Sequence, residues 1–187
     1  MRAKIYWVRG PLLGLRATAL PGFALGTDSS PDWNAALGND LDRHELAHAA
    51  LYQHLESHAD PPLFFDEGWA ESQAHAEFHP ADEHYIGLAW QLSHQRQIED
   101  VPRLRELVGP EQYHNHFRRK HIHHRVGAPL VAFLIREYGS ERFLELYNTC
   151  RQETFDADCQ RVLGVGVDEL DYLLEGDVSK TLAEANL

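Results

Sequence analysis

The sequence predicts an α+β domain, mostly helical with a small N-terminal β-sheet, and three observations support that expectation. Residues 4 to 26 hold short β-rich runs broken by Gly and Pro pairs. From residue 40 onward, apolar residues recur at three- and four-residue spacing, the period that gives a helix one buried face. Between those stretches stand Gly, Pro or capping residues, so each helix has a local reason to stop. A single domain over 1–187 is expected, because 187 residues with 43% hydrophobic content suffice for one sizeable core.

In chain order, Ile5-Tyr6-Trp7-Val8 and Phe23-Ala24-Leu25 read as short strands, with turns at Gly10-Pro11, Pro21-Gly22 and Gly26. Thr27 to Gly38, rich in Asp, Ser, Pro and Asn, reads as a loop, and its Trp33 as a packing residue. A helix is expected over about 40–57: Asn39 or Asp40 can cap it, no Gly or Pro follows before Ser57, and Ala47, Ala49 and Ala50 favour it. Pro61-Pro62 ends that helix, and Asp66 can cap a second one over about 66–78. The C-terminal helical part, about 82–187, opens with Asp82 to Gln97, where Tyr85, Leu88, Ala89 and Leu92 share a face. A short element follows from Val101-Pro102 to Val108, ended by Gly109-Pro110. Tyr113 to Arg125, with five histidines among four basic residues, reads as a solvated basic face, since no pair there stands in ligand spacing with an acidic partner. Leu130, Phe133, Leu134 and Tyr138 then line a helix ended by Gly139, and Ser140 caps the next, with Phe143, Leu144 and Tyr147 inward. Thr154 to Leu163, ended by Gly164, and Asp168 to Leu174, capped by Asp168, complete the helical reading.

Charge and cysteine content narrow the function classes. With 17 Lys plus Arg against 29 Asp plus Glu, the net charge is −12, which argues against a nucleic-acid partner. Cys150 and Cys159 are the only cysteines and read as core thiols, not as a disulfide framework or a thiolate metal site. Pro11 and Arg16 interrupt the N-terminal apolar run before signal-peptide length, and no membrane segment is expected. As written the chain is expected to be cytoplasmic; a catalytic domain cut from a longer secreted or anchored precursor would carry the same residues. Nothing in the sequence indicates an oligomeric state.

The chemistry centres on His44-Glu45-Leu46-Ala47-His48, an H-E-x-x-H motif on the first expected helix. Residues four apart lie one turn above each other, so His44 and His48 can aim two imidazole nitrogens at one metal ion, while Glu45 points beside them, where a general base would stand. Two residues compete for third ligand. His54 lies, on a continuing helix, about 15 Å along the axis from His44 and rotated about 80° from it, and Leu51 stands where a chain turning back toward the metal would need Gly. Glu67, separated from His48 by 18 residues, falls in the first turn of the second helix and can face back toward the histidines.

His44-Glu45-x-x-His48, 18 residues, then Glu67-Gly68-Trp69-Ala70-Glu71 resembles the gluzincin zinc metallopeptidases, and the C-terminal pattern is similar to their peptidase-MA-like branch. The resemblance spans about residues 40 to 175. It implies a zincin-like fold, one Zn²⁺ per chain on His44, His48 and Glu67, Glu45 as catalytic base, and Glu71 orienting a ligand imidazole. It implies hydrolysis of a peptide or protein substrate, with Glu45 taking a proton from the metal's water. It also implies a sheet edge beside the cleft, for which Phe23 to Gly26 is the candidate, and an oxyanion-stabilising side chain. The branch places Tyr there, whereas this chain has His123 or His124 at the matching place. That departure leaves an alternative, a catalytically impaired zinc-binding module of the same fold acting in protein interaction. The G-x-M-E-N segment of related aminopeptidases has no counterpart between Leu12 and Asn39.

Overall fold

A computed structural model describes residues 4–8, 17–20, 23–27, 44, 47, 48, 51, 59–74, 81–98, 101–108 and 125–187. Among the residues whose side chains are described there is no strand or sheet, and the body is mostly helical. The expected α+β class, with an N-terminal sheet as a layer of the fold, is corrected accordingly. Three short segments, β1 (Lys4–Val8), β2 (Ala17–Leu20) and β3 (Phe23–Thr27), pair with one another along the backbone. β3 lies between a parallel β1 and an antiparallel β2. Phe23 to Gly26 is therefore paired on both sides and is not the free edge expected for a peptide. The aromatic and β-branched residues of these runs set local pairing, but class is decided by the elements that fill the core, and the described core is built almost entirely from helices.

His44, Ala47, His48 and Leu51 are helical. The numbered helices follow as α1 (Leu63–Ala74), α2 (Ala81–Ile98), α3 (Leu104–Val108), α4 (125–138), α5 (Ser140–Thr149), α6 (Phe155–Leu163) and α7 (Val167–Glu184). α1 begins three residues before the expected Asp66. Proline is well suited to a helix start, and the carbonyl of Pro62 accepts from the amides of Phe65 and Asp66 at 2.8 and 3.1 Å. Asp66 is thus inside the helix, and its carboxylate turns to the site described below.

Two other expected caps are also corrected. α5 begins at Ser140 after Gly139, whose φ of 85° lets the chain turn between α4 and α5, and no side chain caps it. α7 begins at Val167 and runs to Glu184, well beyond Leu174. Asp168 pairs with Arg105 at 2.7 Å, and the carboxylate of Asp156 accepts the Val167 amide from α6 at 2.7 Å. A side chain from a neighbouring helix here replaces the local cap.

The core runs from Leu51, Phe64 and Phe65 through Leu92, Leu130 and Leu134 to Phe155 and Leu170, all buried. Cys150 and Cys159 are buried free thiols within it; burial pushes both up, Cys159 to about 12, so neither supplies a thiolate near neutrality. α7 is tied to α2 and the start of α3 by ion pairs around buried Asp171, which faces Arg96 at 3.2 Å and Arg103 at 3.1 Å. No helix among the described residues is long and apolar enough to cross a membrane.

A close helix approach fixes the functional region. A Cβ on Gly68 of α1 would stand 2.5 Å from the Cα of Gly127 on α4, and one on Gly127 would stand 2.7 Å from the Cα of Gly68. Only two glycines let these backbones touch, so the α1 turn carrying Glu67 is set directly on α4.

Candidate metal centre

His44 and His48 share one helical face, and α1 crosses it with Asp66, Glu67 and Glu71 turned toward them. Both histidines are buried. The His44 and His48 Nε2 atoms lie 3.2 Å apart, and Glu67 Oε2 stands 3.1 Å from the first and 3.7 Å from the second. The opposite ring nitrogens face carboxylates: His44 Nδ1 lies 3.3 Å from Glu71, and His48 Nδ1 lies 3.3 Å from Asp66. An imidazole that donates Nδ1–H to a carboxylate keeps its Nε2 lone pair free, which is the ligating tautomer. Two such lone pairs and a carboxylate oxygen directed at one point repel one another unless a cation lies between them. A buried His44, His48 and Glu67 group of this kind can hold a metal ion.

Electrostatics show how strongly the pocket asks for positive charge. Burial alone would lower both imidazoles, yet hydrogen bonds to Glu67 and Glu71 raise His44, and those to Asp66 and Glu67 raise His48 to about 10. Three carboxylates around two imidazoles therefore hold a proton at neutral pH when no other cation is present. A divalent ion is a more highly charged occupant of the same place.

No family model, curated protein or solved structure matches the chain.

The site accordingly rests on its own residues. Of those expected from the sequence, His44, His48 and Glu67 converge, and Glu71 faces His44. Glu45, His54, His123 and His124 lie outside the described residues, as do Trp33 and the histidines from His114 to His121.

Sequence reasoning missed two members. Asp66 was expected as a helix cap, but it faces His48. Its adjacency to Glu67 was the available signal, since consecutive residues near the start of a helix packed on both histidines can reach the two of them. Tyr147 was expected only as an inward core residue, whereas its hydroxyl donates to Asp66 Oδ1. No spacing rule links residues 81 apart. Trp69 adds a third hold: its Nε1–H donates to the Ala47 carbonyl at 3.1 Å, between the two histidines, and its ring stacks on Phe143 of α5.

Proposed function

We propose that the chain is a zinc-dependent peptidase. The observation that carries this reading is the triangle of Nε2, Nε2 and Oε2 atoms with edges of 3.1, 3.2 and 3.7 Å. Tetrahedral zinc with bonds of about 2.0–2.2 Å to nitrogen and oxygen has ligand edges of roughly 3.3–3.6 Å, close to that triangle. Two imidazoles and one carboxylate are the donor types zinc accepts, and three protein ligands are the complement of catalytic, not structural, zinc sites. Zinc bound there would polarise a peptide carbonyl and bring water's pKa to about 7.

The chain's own residues have these parts in the proposal. His44, His48 and Glu67 hold the ion; Glu71 and Asp66 orient the two imidazoles. Glu45, next to His44 and not a ligand, takes a proton from the attacking water and delivers it to the leaving amine. The substrate class is a peptide or unstructured protein.

The test uses untagged protein and an unstructured protein substrate. Wild type should cleave it, stop on chelation and resume with zinc. Glu45→Gln should keep its zinc and lose about 10²–10⁴-fold in rate. Stoichiometric zinc with no cleavage across a broad peptide library would instead make the chain a zinc-binding module.

A further inference from the structure

We infer that Tyr147 is a positioning residue of the metal centre, acting through Asp66 to hold His48 as a ligand and so coupling α5 to metal binding. The inference rests on the reading of His44, His48 and Glu67 as metal ligands. One oxygen, Asp66 Oδ1, receives the Tyr147 hydroxyl and also stands 3.3 Å from His48 Nδ1. The Tyr147 hydroxyl donates to that oxygen, and His48 Nδ1–H faces the same acceptor. The His48 lone pair is then on Nε2, facing Glu67 and His44.

The relay is rigid at its far end. Tyr147 is fully buried, with its ring 5.6 Å from that of Phe65 and 6.0 Å from that of Phe143. Phe65, Asp66 and Glu67 are consecutive on α1, so a clamp on Asp66 also fixes the rotation of the turn that presents Glu67. The Trp69 ring on Phe143, at 5.3 Å and 22°, braces the same helix against α5. His44 is held differently, by Glu71, whose side chain is 33% exposed; that of Asp66 is 13% exposed. The buried relay makes His48 the more firmly oriented ligand.

The experiment measures zinc affinity of the untagged full chain by competition with a chromophoric chelator, together with apo-protein melting. Wild type, Tyr147→Phe, Asp66→Ala and the double variant are compared. Residues that orient a ligand contribute about 10–100-fold to metal affinity, so Tyr147→Phe should weaken zinc on the order of 10-fold and Asp66→Ala by at least as much. In the Asp66→Ala background, Tyr147→Phe should change the zinc Kd no further. A purely structural Tyr147 would lower apo melting and leave the Kd as in wild type, which overturns the inference. Fully additive losses in the double variant overturn it too, since Tyr147 would then act without Asp66. A wild type that binds no zinc at normal stability would remove the metal reading itself, a result distinct from both. If Tyr147→Phe does not fold, Asp66→Asn carries the test: its zinc Kd should rise at least several-fold, and a wild-type Kd would refute the relay.

Discussion

Adding one methyl group at the α1–α4 crossing should disturb stability and metal binding together. In Gly127→Ala, the new Cβ would run into the Phe64 carbonyl oxygen, its nearest neighbour, and lie 2.7 Å from Gly68 Cα and 3.0 Å from the Phe64 carbonyl carbon. Ordinary contacts to carbon need about 3.5 Å, and these neighbours are backbone, so the helices must part by about an ångström or more. Overpacking of this kind costs typically about 1–3 kcal/mol and sometimes more, and the backbone partners place this case at the upper end. Alanine recovers up to about 1 kcal/mol in helix propensity, leaving a net loss of roughly 2 kcal/mol. For a chain of this size that lowers the melting temperature by about 4–8 °C. Because the shift moves the α1 turn bearing Glu67, zinc affinity should fall as well. The assay is thermal unfolding by circular dichroism with a zinc titration, using Gly87→Ala as control. Gly87 lies in α2, and a Cβ there would meet nothing within 4 Å. That control should be neutral or more stable by up to about 1 kcal/mol. A Gly127→Ala protein that melts with wild type and binds zinc equally would refute the close-crossing account.

Further outcomes follow from the same geometry. On the proposed ligand set of His44, His48 and Glu67, His54→Ala should leave zinc content unchanged; a loss equal to that of His44→Ala would show another arrangement. The pH dependence follows from His48, whose folded pKa of about 10 lies above its ordinary 6.5. Its contribution to the stability of metal-free protein is therefore complete below about pH 6.5 and is lost as pH rises toward 10. Zinc must displace that proton, so its affinity should climb between pH 6.5 and 9 by as much as about tenfold per unit for each proton released. A flat affinity profile over that range would contradict proton competition at the site.

The sequence made the His44, His48 and Glu67 cluster legible because each member had a local reason to be where it is. His44 and His48 are related by one helical turn, and Pro62 opens the helix that carries Glu67. The same local logic misplaced the start of α1, because Asp66 looks like a cap until Pro62 is seen to accept the first amides. It likewise took Asp168 for a cap, when Arg105 claims it and Asp156 supplies the acceptor from another helix. The fold class failed for a related reason. Strand-forming runs at residues 5–8 and 23–25 report backbone preference, whereas the described core is filled by helices far along the chain. Tyr147 was invisible as a site residue for the opposite cause: its place in the core was plain, but the partner of its hydroxyl depends on the packing of α5 against α1.

Zinc stoichiometry of untagged wild type beside Glu67→Ala tests the central claim most directly. About one zinc per chain in wild type and a large loss in Glu67→Ala, with the helical spectrum of both proteins intact, is the result expected of a His44, His48 and Glu67 centre. Undiminished zinc in Glu67→Ala, or none in wild type, would contradict it.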